Sequence, residues 1–180
     1  VQLRKDTHIK DVKVKDLIKK ILIEQTENTA LVVFGGINYA TPEWMESQMP
    51  TDMINDNTII KSFDTNIDEV IDELNELEYN DLQVVGFSAG GYNVFKLAKK
   101  VDIDFLGLID PAIPTDWSLD GFPSGNNSIL FFNNDNWGGY PGIKERQEDL
   151  AEEMEDKGMK VVEEDLNHKD FPTVFFEIYI

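Results

Sequence analysis

The chain has 180 residues, 41% hydrophobic and 28% charged, which suits one soluble domain with a core of its own and excludes a disordered chain. It has no cysteine, so disulfides, thiolate metal sites and cysteine nucleophiles are excluded. With 35 acidic against 16 basic residues the formal net charge is −19, a field that repels nucleic acid and anionic membranes.

Residues 1–29 form a basic, polar lead in which Leu17, Ile18, Ile21 and Leu22 fall at helical spacing, so a helix is expected over about 9–24. No apolar run is long enough to cross a bilayer, so no transmembrane segment is expected. No signal peptide is visible, which favours a cytoplasmic address, although a first residue other than methionine leaves room for processing or a longer parent chain. Ala30 to Phe34 is a continuous apolar run, the signature of a parallel strand covered on both faces, and it stops at Gly35-Gly36-Ile37-Asn38-Tyr39. Pro42 to Met49 reads as a short helix capped by Thr41, and Thr58 to Phe63 as a strand. Asn66 to Leu77 places Ile67, Val70, Ile71, Leu74 and Leu77 on one face of an amphipathic helix.

Leu82 to Gly91 is the most informative stretch: a run of β-formers ends at Gly86-Phe87-Ser88-Ala89-Gly90, and a helical segment, Tyr92 to Lys100, follows at once. Strand, sharp turn and helix in that order form the context in which Gly-x-Ser-x-Gly presents an exposed serine hydroxyl at a strained tip. Ile103 to Ile109 is a further strand closing in Asp110-Pro111, and 112–127 is a long loop with Trp117 and Phe122. Ser128 to Phe132 is a strand whose polar exit carries Asp135, Trp137 and Tyr140. A charged helix from about Ile143 to Lys157 ends at Gly158; Met159 to Glu164 is the last strand, Leu166 to Asp170 the last loop, and Phe171 to Ile180 a terminal helix. The strand–helix alternation predicts an α/β fold: one domain over 1–180 with an open, mostly parallel sheet of about six strands and helices on both faces. Gly35-Gly36, Ser88, Asp110, Asp135 and His168 then fall at the carboxyl ends of strands, where ligands gather in such sheets.

A serine nucleophile needs a base oriented by an acid. Of the two histidines, His8 lies in the lead, whereas His168 follows the last strand, so His168 is the candidate base. Asp135 is the preferred acid and Asp110 the alternative. Backbone N–H groups of Ala89 and of Gly36 or Ile37 are placed to form an oxyanion hole. Tyr39, Phe87, Trp117 and Trp137, with Phe122 and Tyr140, are candidate substrate-lining residues.

The order Gly35-Gly36, Gly86-Phe87-Ser88-Ala89-Gly90, Asp135, His168 resembles the α/β-hydrolase fold family over nearly the whole chain from residue 30. The resemblance implies acyl transfer to water from an ester, thioester or amide with a serine–histidine–acid triad and no metal or other cofactor. It implies an acid after strand 128–132, hence Asp135, with Asp110 at the position some members use instead. The chain departs from the family where the two leading antiparallel strands are replaced by the helical lead, where Phe34 stands in place of a histidine before the glycines, and where no lid domain is inserted. The expected partner is a small acyl substrate, and a protein partner fits only if the chain is part of a larger assembly. A peptidase or amidase shares every catalytic residue named, and a non-catalytic module that retains the fold is the reading from another class. Phosphate binding at Gly86–Gly91 is remote, because no lysine follows the glycines as a P-loop requires.

Overall fold

A computed structural model describes residues 29–38, 40–133 and 142–179 of the chain. The expected helix over 9–24 lies outside the described residues. Six strands form one all-parallel sheet: β1 (Thr29–Phe34), β2 (Thr58–Lys61), β3 (Asp81–Phe87), β4 (Phe105–Ile109), β5 (Ser128–Asn133) and β6 (Lys160–Glu164). Their order across the sheet is β2-β1-β3-β4-β5-β6. The helices are α1 (Pro42–Ser47), α2 (Ile67–Glu76), α3 (Gly91–Ala98), α4 (Ile143–Asp156) and α5 (Phe171–Tyr179).

The burial pattern explains the composition of the strands. β1 is buried along its whole length, and its alternate residues enter different layers: Ala30, Val32 and Phe34 pack on one face, Leu31 and Val33 on the other. A strand sealed on both sides is apolar on both faces, which is why Ala30 to Phe34 shows a run and not an alternation. The first layer is completed by α2, α3 and α4 through Ile67, Val70, Leu74, Val94, Leu97, Leu150 and Met154. The second is completed by α1 and α5 through Met45, Phe171, Phe175 and Phe176. The edge strands β2 and β6 are only half buried and correspondingly more polar.

Local signals set the ends of the helices. Thr41 accepts a hydrogen bond from Trp44 N with Pro42 in the first position of α1, and Asn66 caps α2 by accepting from Asp68 N. Gly158, at φ +71°, closes α4 with its N–H on Glu155 O and that of Met159 on Met154 O. Boundaries move from the sequence reading where tertiary pairing decides them. α1 ends at Ser47, not Met49, β2 ends at Lys61, not Phe63, and β4 begins at Phe105, not Ile103. The loop over 112–127 contains one short 3-10 turn, Gly125–Asn127. The β-branched and aromatic residues near the C-terminus form a helix because Phe171, Phe175 and Phe176 share the face that covers the sheet.

The strand order reverses between β1 and β3. After β1 the chain crosses the layer of α1 and α5, whereas after β3 it crosses the layer of α2, α3 and α4. Loops that leave in opposite directions open a crevice at the carboxyl edge between the two strands, and Phe34 is in register with Gly86 at that edge. Among the described residues, no helix is long and apolar enough to cross a membrane.

Phe175 is fully buried, and its ring lies so close to Gly107 that a Cβ there would sit 2.9 Å from Cζ. Phe175→Ala removes the ring that fills the space over β4, and is expected to cost roughly 3–5 kcal/mol, read from urea unfolding as a lower midpoint with an unchanged slope.

Candidate active site

β3 runs extended through Phe87 and breaks at Ser88, which has φ +54° and opens a 3-10 turn over Ser88–Gly90 that leads into α3. A non-glycine residue in the left-handed region is strained and persists because its surroundings hold it there. Here Ser88 O accepts the N–H of Ala112, from the loop after β4, at 2.8 Å. The return of the chain also requires a missing side chain at Gly90, where a Cβ would stand 2.3 Å from Phe34 O and 2.7 Å from Gly35 O. The end of β1 is thus pressed onto the turn. Gly36 borders the hydroxyl itself, since a Cβ on it would lie 2.8 Å from Ser88 Cβ and 3.1 Å from Oγ. Ser88 is 8% exposed.

His168 is held from two directions. Its ring stacks on Phe87, the residue before Ser88, with centroids 4.7 Å apart and planes inclined by 29°. Its Nδ1 lies 2.5 Å from Asp110 Oδ2. The loop carrying it is fixed on both sides: Asn133 Nδ2 donates to Leu166 O, and Asn167 Nδ2 donates to Asp170 Oδ2 at 3.0 Å. The observed tie between His168 and the elbow is this stacking, not a hydrogen bond to Ser88 Oγ.

Asp110 follows β4 in another left-handed conformation, φ +38°, with its N–H on Phe131 O at 2.6 Å. Its side chain is 1% exposed, against 30% for that of His168. The second carboxylate oxygen, Oδ1, accepts from Gln147 Nε2 at 3.1 Å and faces Asn133 N at 3.5 Å. A carboxylate on Nδ1 selects the imidazole tautomer that carries its acceptor lone pair on Nε2. The arrangement therefore holds the imidazole against the residue that precedes a strained serine.

Among the residues singled out from sequence, Ser88, Ala89, Gly36, His168 and Asp110 gather at one rim. Asp135, Tyr39, Trp137 and Tyr140 lie outside the described residues; among the described residues, a carboxylate meets His168 from Asp110, the alternative acid. Phe87 takes a different place from the one expected, because it is fully buried between Trp44, at 5.8 Å, and His168, and supports the imidazole instead of facing solvent. Trp117 and Phe122 pack into the layer of α2, α3 and α4, where Phe122 meets Phe95 at 5.1 Å, whereas Phe87 belongs to the opposite layer. Sequence reading passed over Asn133 and Gln147. The signal for Gln147 was present: it is the one polar residue in the buried stripe Ile143, Gln147, Leu150, Met154 of α4.

No protein-family model matches the sequence, and no curated protein matches it. Solved structures do. A protein described as a YdeN-like hydrolase from Pectobacterium atrosepticum superposes with a TM-score of 0.55 at 11% identity, covering 91% of this chain and 92% of its own. Est1E from Butyrivibrio proteoclasticus superposes with a TM-score of 0.55 at 12% identity, covering 88% of each chain. The chain has the α/β-hydrolase fold.

Gly90→Ala is expected to lower stability by roughly 1–3 kcal/mol, because the atoms a methyl group would meet are backbone carbonyls that cannot step aside. A fall in thermal midpoint under calorimetry checks it, and an unchanged midpoint would mean that β1 is not pressed onto the turn.

Proposed function

We propose that this protein is a serine hydrolase that cleaves an ester or thioester through an acyl-enzyme on Ser88, with His168 as general base and Asp110 as the orienting acid. The observation that carries the reading is the Asp110–His168 pair at 2.5 Å, with the imidazole stacked on the residue that precedes a strained serine. Ser88 Oγ attacks the acyl carbon while His168 Nε2 takes its proton; the apposition tightens when substrate fills the crevice, as catalytic hydrogen bonds often do. The N–H groups of Ala89, at the start of the helical turn, and of Gly36, whose Cα borders the hydroxyl, receive the oxyanion. His168 then returns the proton to the leaving group and activates the water that releases the acid.

The site favours an uncharged acyl group. Ile37, which follows Gly36 in the chain, is 50% exposed, and an apolar residue at that place suits an uncharged acyl group. The −19 net charge works against anionic substrates.

A fluorophosphonate probe followed by intact mass is expected to add one adduct to the wild-type chain and none to Ser88→Ala. A well-folded wild-type protein that takes no label would overturn the enzyme reading. Asp110→Asn is expected to lower kcat by roughly a thousandfold or more, in line with loss of the correct histidine tautomer, and Asp135→Asn to leave it within a few-fold. The reverse ranking would transfer the role to Asp135.

A further inference from the structure

We infer that Gln147, on α4, is a positioning residue for the catalytic acid: its side-chain amide clamps the Asp110 carboxylate to the main chain of the next residue and so aims it at His168. The inference rests on the triad reading above and extends it to a residue thirty-seven positions away in the chain.

The geometry is that of a bridge. Gln147 Nε2 donates to Asp110 Oδ1 at 3.1 Å and to Pro111 O at 2.8 Å, so both protons of one NH2 group are used. One acceptor is the tip of the Asp110 side chain and the other is the carbonyl next along its backbone. Joining them through a single nitrogen fixes the side-chain torsions of Asp110 relative to its own main chain. That leaves Oδ2 directed at Nδ1 of His168. The amide cannot turn over, because its oxygen would then face two acceptors.

The setting argues against a purely structural role. Gln147 is 0% exposed, and its neighbours in the buried stripe of α4 are Ile143, Leu150 and Met154. Gln147 Oε1 has no hydrogen-bond partner among the described residues, so the side chain is polar in this slot for what its nitrogen does and not its oxygen. The arrangement gives up one hydrogen bond on the oxygen while using both on the nitrogen. Asn133 N also faces Oδ1, at 3.5 Å, a longer and weaker contact than that of the amide. Without the amide, the carboxylate loses the bridge that ties Oδ1 to its own main chain.

The test is Gln147→Met, with Gln147→Leu as a second variant, both of which keep the buried volume and remove the donor. Hydrolysis of a short-chain p-nitrophenyl ester, assayed well below the thermal midpoint of each variant, is expected to show kcat lowered roughly tenfold to a hundredfold, the scale of a small misplacement of a catalytic group, with KM little changed; the midpoint itself falls because a donor to a buried carboxylate is lost. The strongly downfield proton resonance of the His168 Nδ1–H···carboxylate bond, which needs no substrate, is expected to broaden or disappear in the same variants. Wild-type kcat and an unaltered resonance in a folded variant would overturn the inference. So would failure of both variants to fold, which would assign Gln147 to stability alone. Ser88→Ala and Asp110→Asn measured alongside keep the two readings apart: if these retain activity, the triad itself is wrong, whereas if they lose it while Gln147→Met does not, only the clamp is wrong.

Discussion

A carboxylate withdrawn from water at the end of β4 sets the terms for the carboxyl edge of this sheet. Asp110 is 1% exposed, and an ionised group taken out of water is tolerated only when other dipoles and charges replace its hydration. Among the described residues, replacements come from Gln147 on α4, Asn133 at the end of β5 and His168 in the loop after β6. Satisfying one buried group therefore draws the second half of the chain to a single point. Asn133 does this twice, since its N–H faces Asp110 and its side chain holds the carbonyl of Leu166 in the histidine loop.

The opposite side of the site depends on close backbone approach. β1 and β3 lie side by side with Phe34 in register with Gly86, and the turn beyond β3 folds back until Gly90 touches the carbonyls of Phe34 and Gly35. Ser88 and Asp110 are both held at positive φ immediately beyond adjacent strands. Each is anchored by a bond from a neighbouring segment, Ala112 N to Ser88 O and Asp110 N to Phe131 O. The rigid parallel ladder supplies the scaffold on which such strain persists. Phe87 joins the two sides, because it is the last residue of β3 and the surface on which the imidazole rests.

These two constraints also explain why the crevice falls where it does. The helices that follow β1 and β3 lie on opposite faces of the sheet, so the loop carrying Gly36 and the turn carrying Ser88 diverge after meeting. The backbone of Gly36 borders one side of that crevice and the elbow the other.

The sequence by itself determined the class of fold, because continuous apolar runs alternating with amphipathic helices can be buried only as a parallel sheet covered on both faces. It also placed Gly36, Ser88, Ala89 and His168 at strand ends, since Gly-x-Ser-x-Gly between a strand and a helix has a local mechanical meaning and only one histidine follows a strand. It preferred Asp135 to Asp110 as the partner of His168 with little to separate them: both follow strands in polar turns, and a contact such as that of Asp110 with an imidazole fifty-eight residues away depends on how three strands line up in space. The places of two aromatic residues were open for a related reason. Phe87 and Trp117 are each compatible with a pocket or a core, and only the layer into which each packs separates the two. Gln147 shows the same limit from the other side. Its polarity within an apolar stripe was visible in the chain, but its meaning required the acceptor groups that the tertiary fold brings to it.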